Sequence, residues 1–262
     1  MAIDYVLAMG CEPQRQLGID RLMGLHRTRI LARTALASAR EEGDQRPPGE
    51  IEVQLTLRKP DGDSARGVRL QDLFDEAAPL DAVAGHCATC PAGLDREFAC
   101  HRRIRYPIAE HVEEWLMARL PRKLDCTAGT LLKRGLDEFG WDGAPVGRLR
   151  AHGTTFFESR APYGVRWAAE GGALEVSSDQ LFQMMFLVGD LAPTHSLMLA
   201  LFCGVVPHDI SLQDLKDRAG RARALEAADV PPHPDTAIEQ LAAFLRMLAL
   251  AARLEVSIVV DG

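Results

Sequence analysis

Lysine is scarce in this chain of 262 residues: Lys59, Lys123, Lys133 and Lys216 are the full set beside 26 arginines. The formal charge is −7 and is spread along the length, which gives no global electrostatic case for nucleic acid or an anionic membrane. Long apolar runs are missing too. The longest, Leu197 to Val206, is about half of what a bilayer requires and stops at Pro207. The opening MAIDYVLAMG has no basic region and carries Asp4, so it does not read as a secretory signal. These features predict a soluble, cytoplasmic protein without a membrane partner, in which cysteines stay reduced.

Recognisable catalytic signatures are also lacking. There is no H-E-x-x-H, no G-x-S-x-G, no phosphate loop ending in Gly-Lys-Ser/Thr, and no G-x-G-x-x-G after the first strand. Acid pairs such as Asp72 with Asp75 and Glu76, or Glu113 with Glu114, have no sequence neighbour that would shift them. They read as solvated helix faces.

What stands out is the stretch 85–107, GHCATCPAGLDREFACHRRIRYP. Cys87 and Cys90 form C-x2-C, a spacing that lets two thiolates grip one ion from a tight turn, and Cys100 follows. Pro91 and Gly93 break any regular element, so the loop needs another source of order, which a metal supplies. Zinc is the expected ion. An iron–sulfur cluster is the second reading, since Cys90-Pro91 suits a cluster loop although a C-x2-C-x2-C run is absent.

Three ligands are clear from the spacing, and the fourth is not local. His86 and His101 each adjoin a cysteine, and adjacent side chains rarely reach the same ion. Cys11 in MGCEP and Cys126 in LDCTAG lie in turn contexts, whereas Cys203 in an apolar run reads as core. Cys11 is preferred because Gly10 and Pro13 place it in a loop at a strand end. A metalloenzyme using Cys87, Cys90 and Cys100 would need an acid or base such as His111 or Glu113. The H-x-E here follows the cysteine pair rather than preceding it, so the pattern of zinc nucleobase deaminases is not matched. Arg102, Arg103 and Arg105 could touch phosphates, but Glu97 and the helix acids Glu110, Glu113 and Glu114 favour ion pairing.

Periodicity predicts strands at Ile3–Met9, 51–57, 65–70 and 254–260, with a turn at Lys59-Pro60-Asp61-Gly62. Helices are expected over Ile19–Ala39, 70–78, Pro107–Leu120, Thr127–Phe139, Asp179–Val188, Pro193–Cys203 and from Asp235 onward. With 70–234 set aside, the order is strand, helix, strand, strand, helix, strand. The expected class is therefore α+β: a small antiparallel sheet, ferredoxin-like β-α-β-β-α-β, from 1–69 plus 235–262. Residues 70–234 form a large, mainly helical insertion that carries the cysteine loop. The expected function is metal binding in the service of a partner-binding or regulatory role, the partner being another protein.

Overall fold

The computed structural model describes residues 2–57, 64–94, 96–169, 172–228 and 230–261. In chain order the elements are β1 (Ala2–Leu7), α1 (Glu12–Leu17), α2 (Ile19–Glu41), β2 (Glu52–Leu57), β3 (Ser64–Arg69), α3 (Leu70–Ala77), α4 (Pro79–Ala84) and β4 (His101–Arg105). There follow α5 (Glu110–Met117), α6 (Thr127–Phe139), α7 (Ala144–Arg150), β5 (Gly164–Ala169), β6 (Gly172–Ser177), α8 (Ser178–Phe186) and α9 (Pro193–Phe202). The chain closes with α10 (Leu212–Lys216), α11 (Arg218–Glu226), α12 (Thr236–Leu254) and β7 (Ile258–Asp261). The class is α+β, with small antiparallel sheets.

The first and last strands do pair, antiparallel, from Asp4↔Asp261 to Leu7↔Ile258. The four-stranded ferredoxin-like sheet is not what surrounds them. Among the described residues the sheet order is β4-β1-β7, while β2 and β3 pair with each other as a separate hairpin. The strand beside β1 is thus His101–Arg105, whose three arginines read as loop charges in the sequence. It qualifies as a strand because Ile104 turns inward, 4% exposed, and because Arg103 meets the buried Asp4. The expected turn at 59–62 lies outside the described residues.

The chain forms two compact units, one of Met1–Met9 with Arg102–Gly262 and one of Gly10–His101. Cys87, Cys90 and Cys100 of the cysteine loop lie in the second of these units.

In the larger unit α12 is buried on most sides, through Leu241, Phe244, Leu245, Leu248 and Ala251. The Phe244 ring meets Tyr5 edge-on at 4.9 Å and Phe186 at 4.8 Å, aromatic contacts that tie helix to sheet. Asp235 caps the helix, accepting from the Ala237 and Ile238 N–H groups at 2.9 Å each. Leu254 ends α12 instead of opening the last strand, and Glu255 terminates it in the left-handed region at φ 55°. In the smaller unit, Ala32 of α2 packs with Ile51, Leu70 and Leu73, and Leu22 and Leu25 pack with Leu80, Val83, Ala84 and Phe98. Arg29 lies within this unit at 6% exposure, its guanidinium 2.5 Å from Asp81.

Other boundaries shift for local reasons. Pro107 follows a cis peptide bond, and α5 opens three residues later at Glu110. Phe139, at the end of the helix expected over Thr127–Phe139, is 65% exposed and stacks on Trp141. Between the expected helices at 127–139 and 179–188 the chain forms a further one, α7, which enters after Gly143 with Pro145 in its first turn.

Candidate metal centre

The cysteine pair is presented by a run of tight turns. After α4, residues Gly85–Thr89 continue as a 3-10 turn, where a structureless loop was expected. Cys90 N–H then donates to Cys87 O at 3.1 Å, and Gly93 N–H donates to Cys90 O at 2.9 Å. Gly93 holds φ +61°, a conformation open to glycine at little cost. Phe98 adopts φ +54° without that freedom, held by a side chain 2% exposed among Leu22, Leu25, Leu80, Val83 and Ala84. From there its N–H donates to Cys87 Sγ at 3.5 Å, and His101 N–H donates to Phe98 O at 2.9 Å. This turn carries Cys100 back toward the pair.

Cys11 arrives from the other end of the unit. It precedes α1 in an extended conformation, and Pro13 stands in the helix's first turn. The Gly10 N–H donates to Oε1 of the buried Gln14 at 2.9 Å, which pins the loop.

Cys11, Cys87, Cys90 and Cys100 line one cavity together with Pro13, Leu22, His86 and Phe98. Its volume is about 10 Å³, the room of one water-sized sphere and far from that of an organic ligand. All four thiols are free; Cys100 is buried and the others half-buried. Burial first, then the neighbouring Cys90, Cys11 and Cys87, pushes the Cys100 thiol up to about 12. Burial likewise raises Cys87, the Phe98 N–H opposes it, and Cys90 and Cys11 add to it. Among the described residues no three His, Cys, Asp or Glu side chains already stand as a ready set for one metal ion.

The remaining sequence candidates, His86 apart, are employed elsewhere. Cys126 caps α6, its sulfur accepting from Gly129 N–H at 3.4 Å and donating to Lys123 O at 3.3 Å. Cys203 is fully buried core, its thiol pushed up to about 12 by that burial. His101 is buried with Nδ1 2.6 Å from His26 Nδ1, so the two histidines are packed against and hydrogen-bonded to each other. His86 lines the cavity on an exposed turn. The arginines do not act as one patch. Arg103 is paired with Asp4 at 3.0 Å, Arg102 is half-buried, and Arg105 is exposed with its backbone N–H bonded to Gln240.

One polar cluster escaped the sequence reading. Glu113, expected on a solvated face, is 0% exposed. Arg150 of α7 donates from Nη1 to Glu113 Oε1 at 3.0 Å and to Ser159 O at 3.0 Å, from Nη2 to Glu113 Oε2, and from Nε to Asp179 Oδ1 at 2.6 Å. The Ser178 hydroxyl donates to Glu113 Oε2 at 2.6 Å, and the guanidinium lies 4.1 Å from the Phe157 ring centroid. Burial raises the Asp179 carboxyl above its ordinary range against the opposing pull of Arg150. For Arg150, burial opposes the charge, and Glu113 and Asp179 more than offset it. Each charge has its partner, so the cluster is a clamp joining α5, α7 and α8.

No protein-family model, no curated protein and no solved structure matches this chain.

Proposed function

We propose that the protein is a metal-binding protein whose Cys11, Cys87, Cys90 and Cys100 thiolates hold one centre that organises the Gly10–His101 unit. The observation that carries this reading is that Cys11 and the three cysteines of the 85–107 stretch line a single small cavity. An apolar wall of Leu22 and Phe98 backs them, and a backbone N–H already faces one sulfur.

The role that fits is structural. Four thiolates complete a tetrahedral set, whereas a catalytic metal keeps a position open for water or substrate. Among the described residues the cavity lining includes no carboxylate to act as a base, and the His111 and Glu113 once considered for it are engaged with Asp235 and Arg150. A metal held this way contributes on the order of 10 kcal/mol to folding. The protein then acts by binding or regulating another protein, and Phe139, standing exposed at the end of α6, is the residue to examine first at such an interface.

The test is the metal content of untagged protein, purified without chelator, for the parent and for Cys11→Ser, Cys87→Ser and Cys126→Ser. Metal in the parent and in Cys126→Ser, with loss in the other two, is the expected result. A folded, metal-free parent that takes up neither zinc nor iron overturns the reading.

A further inference from the structure

We infer that the larger unit binds a small phosphorylated molecule of about nucleotide size in the cleft between the 121–126 segment and β5. This site is separate from the cysteine centre and does not depend on it.

Arg122, Lys123, Asp125 and Arg166 line the cleft around an apolar wall of Leu124, Trp167 and Ala168. Its volume is about 670 Å³, within the range of roughly 300–1,000 Å³ where small-molecule sites fall. Arg122, Lys123 and Arg166 are exposed, and among the described residues none of the three side chains makes an ion pair or a hydrogen bond. Glu175 stands opposite Arg166 in the strand pairing but forms no ion pair with it. Three cations thus share the cleft with one carboxylate, in a chain whose formal charge is −7. Charge of one sign gathered between apolar walls focuses the field there and draws in anions.

The segment that carries Arg122 and Lys123 is fastened at both ends. Trp167 Nε1 donates to Pro121 O at 2.9 Å, and Cys126 Sγ donates to Lys123 O at 3.3 Å. Gly129 lets α6 lie directly against this segment, since a Cβ there would come 2.5 Å from Leu124 Cα. The backbone is therefore set before a ligand arrives, and binding does not bear the cost of ordering it. With its N–H engaged, the Trp167 indole offers the ligand apolar surface alone. Asp125 can accept from a ligand hydroxyl.

A neighbouring cleft of about 460 Å³, which shares Leu124, argues for a compact ligand. There Lys133 and Arg134 are balanced by Asp137 and Glu138, with Arg134 Nε 2.6 Å from Glu138 Oε1. An extended polyanion such as RNA meets those carboxylates as it continues past Leu124, whereas a small phosphorylated molecule stays among the three cations.

The experiment is calorimetric titration of the full chain at low ionic strength with three probes: pyrophosphate, ADP and a 20-nucleotide single strand of RNA. Pyrophosphate and ADP should both bind, and ADP more tightly because it also meets the apolar wall. Arg122→Gln with Arg166→Gln should weaken both by about tenfold or more, while Arg134→Gln in the neighbouring cleft leaves them unchanged. The replaced side chains are exposed and unpaired, so thermal melts of the double variant should match the parent. Absence of binding by pyrophosphate and ADP, or binding that the double variant retains, overturns the inference. RNA bound more tightly than ADP, and lost in the double variant, also overturns it in favour of a nucleic-acid surface.

Discussion

Arg150 Nε lies 2.6 Å from Asp179 Oδ1, and neither side chain is more than 8% exposed. The same guanidinium faces Glu113, so one cation answers two buried carboxylates. Arg150→Met would leave both anions without that cation, and the expected cost is about 3–5 kcal/mol by urea denaturation. Glu113→Gln and Asp179→Asn added to Arg150→Met should recover a substantial part of that loss. No recovery would show that the packing of the Arg150 stem over Phe157, rather than charge, dominates.

Cys126 and Cys11 both open helices, yet one caps with its sulfur and the other faces the cavity. Cys126→Ser puts a better acceptor at the same N-cap and should leave the thermal midpoint unchanged or higher. Cys11→Ser should lower it, with the loss confined to metal-loaded protein. Thermal melts with and without chelator separate the two: chelation should erase the gap between the parent and Cys11→Ser.

Asp235 supplies a pH dependence whose sign follows from its partners. The Ile238 N–H, the His111 side chain and the Ala237 N–H hold its carboxyl below the ordinary value of 3.8. Its contribution to folding is fully present above that ordinary value and is lost as pH falls through the lower folded one. Asp235→Ala should lower the melting midpoint by roughly 2–4 °C at neutral pH. The gap should close in strongly acidic buffer, and a gap constant across pH would show that the capping charge is not its source.

The same substitution at two glycines should act in opposite directions. Gly24 is exposed in the interior of α2, and a Cβ there meets nothing within 4 Å, so Gly24→Ala should stabilise by about 0.5–1 kcal/mol. At Gly129 a Cβ would come 2.5 Å from Leu124 Cα and 2.7 Å from Leu124 O, both backbone. Gly129→Ala should therefore destabilise, by about 1–3 kcal/mol, as overpacking does. Denaturant midpoints of the two variants check both signs.

Legibility in the sequence followed the range of the interaction. The α2, α6, α8, α9 and α12 helices were readable because apolar periodicity, Ser177, Asp235 and the glycines that follow α6 and α8 act within a few residues. β4 was not readable, because an arginine-rich strand is accommodated where Asp4, 99 positions away in sequence, accepts from Arg103. Glu113 looked solvated for the same reason: its partner Arg150 lies on another helix and carries no local mark.

By itself the sequence determined the α+β class, the helices with strong local signals and the pairing of candidates Cys87 with Cys90, all of which depend on spacing along the chain. The tertiary structure alone decided that β2 and β3 form their own hairpin, that Arg150 closes over two acids, and that Cys11 rather than Cys126 joins the cavity. Cys11 and Cys126 carry nearly the same local signal, a cysteine at the mouth of a helix. What separates them is the fold of the chain from 10 to 101, whose turns at Gly93 and Phe98 bring Cys100 and the pair to the place where Cys11 already stands.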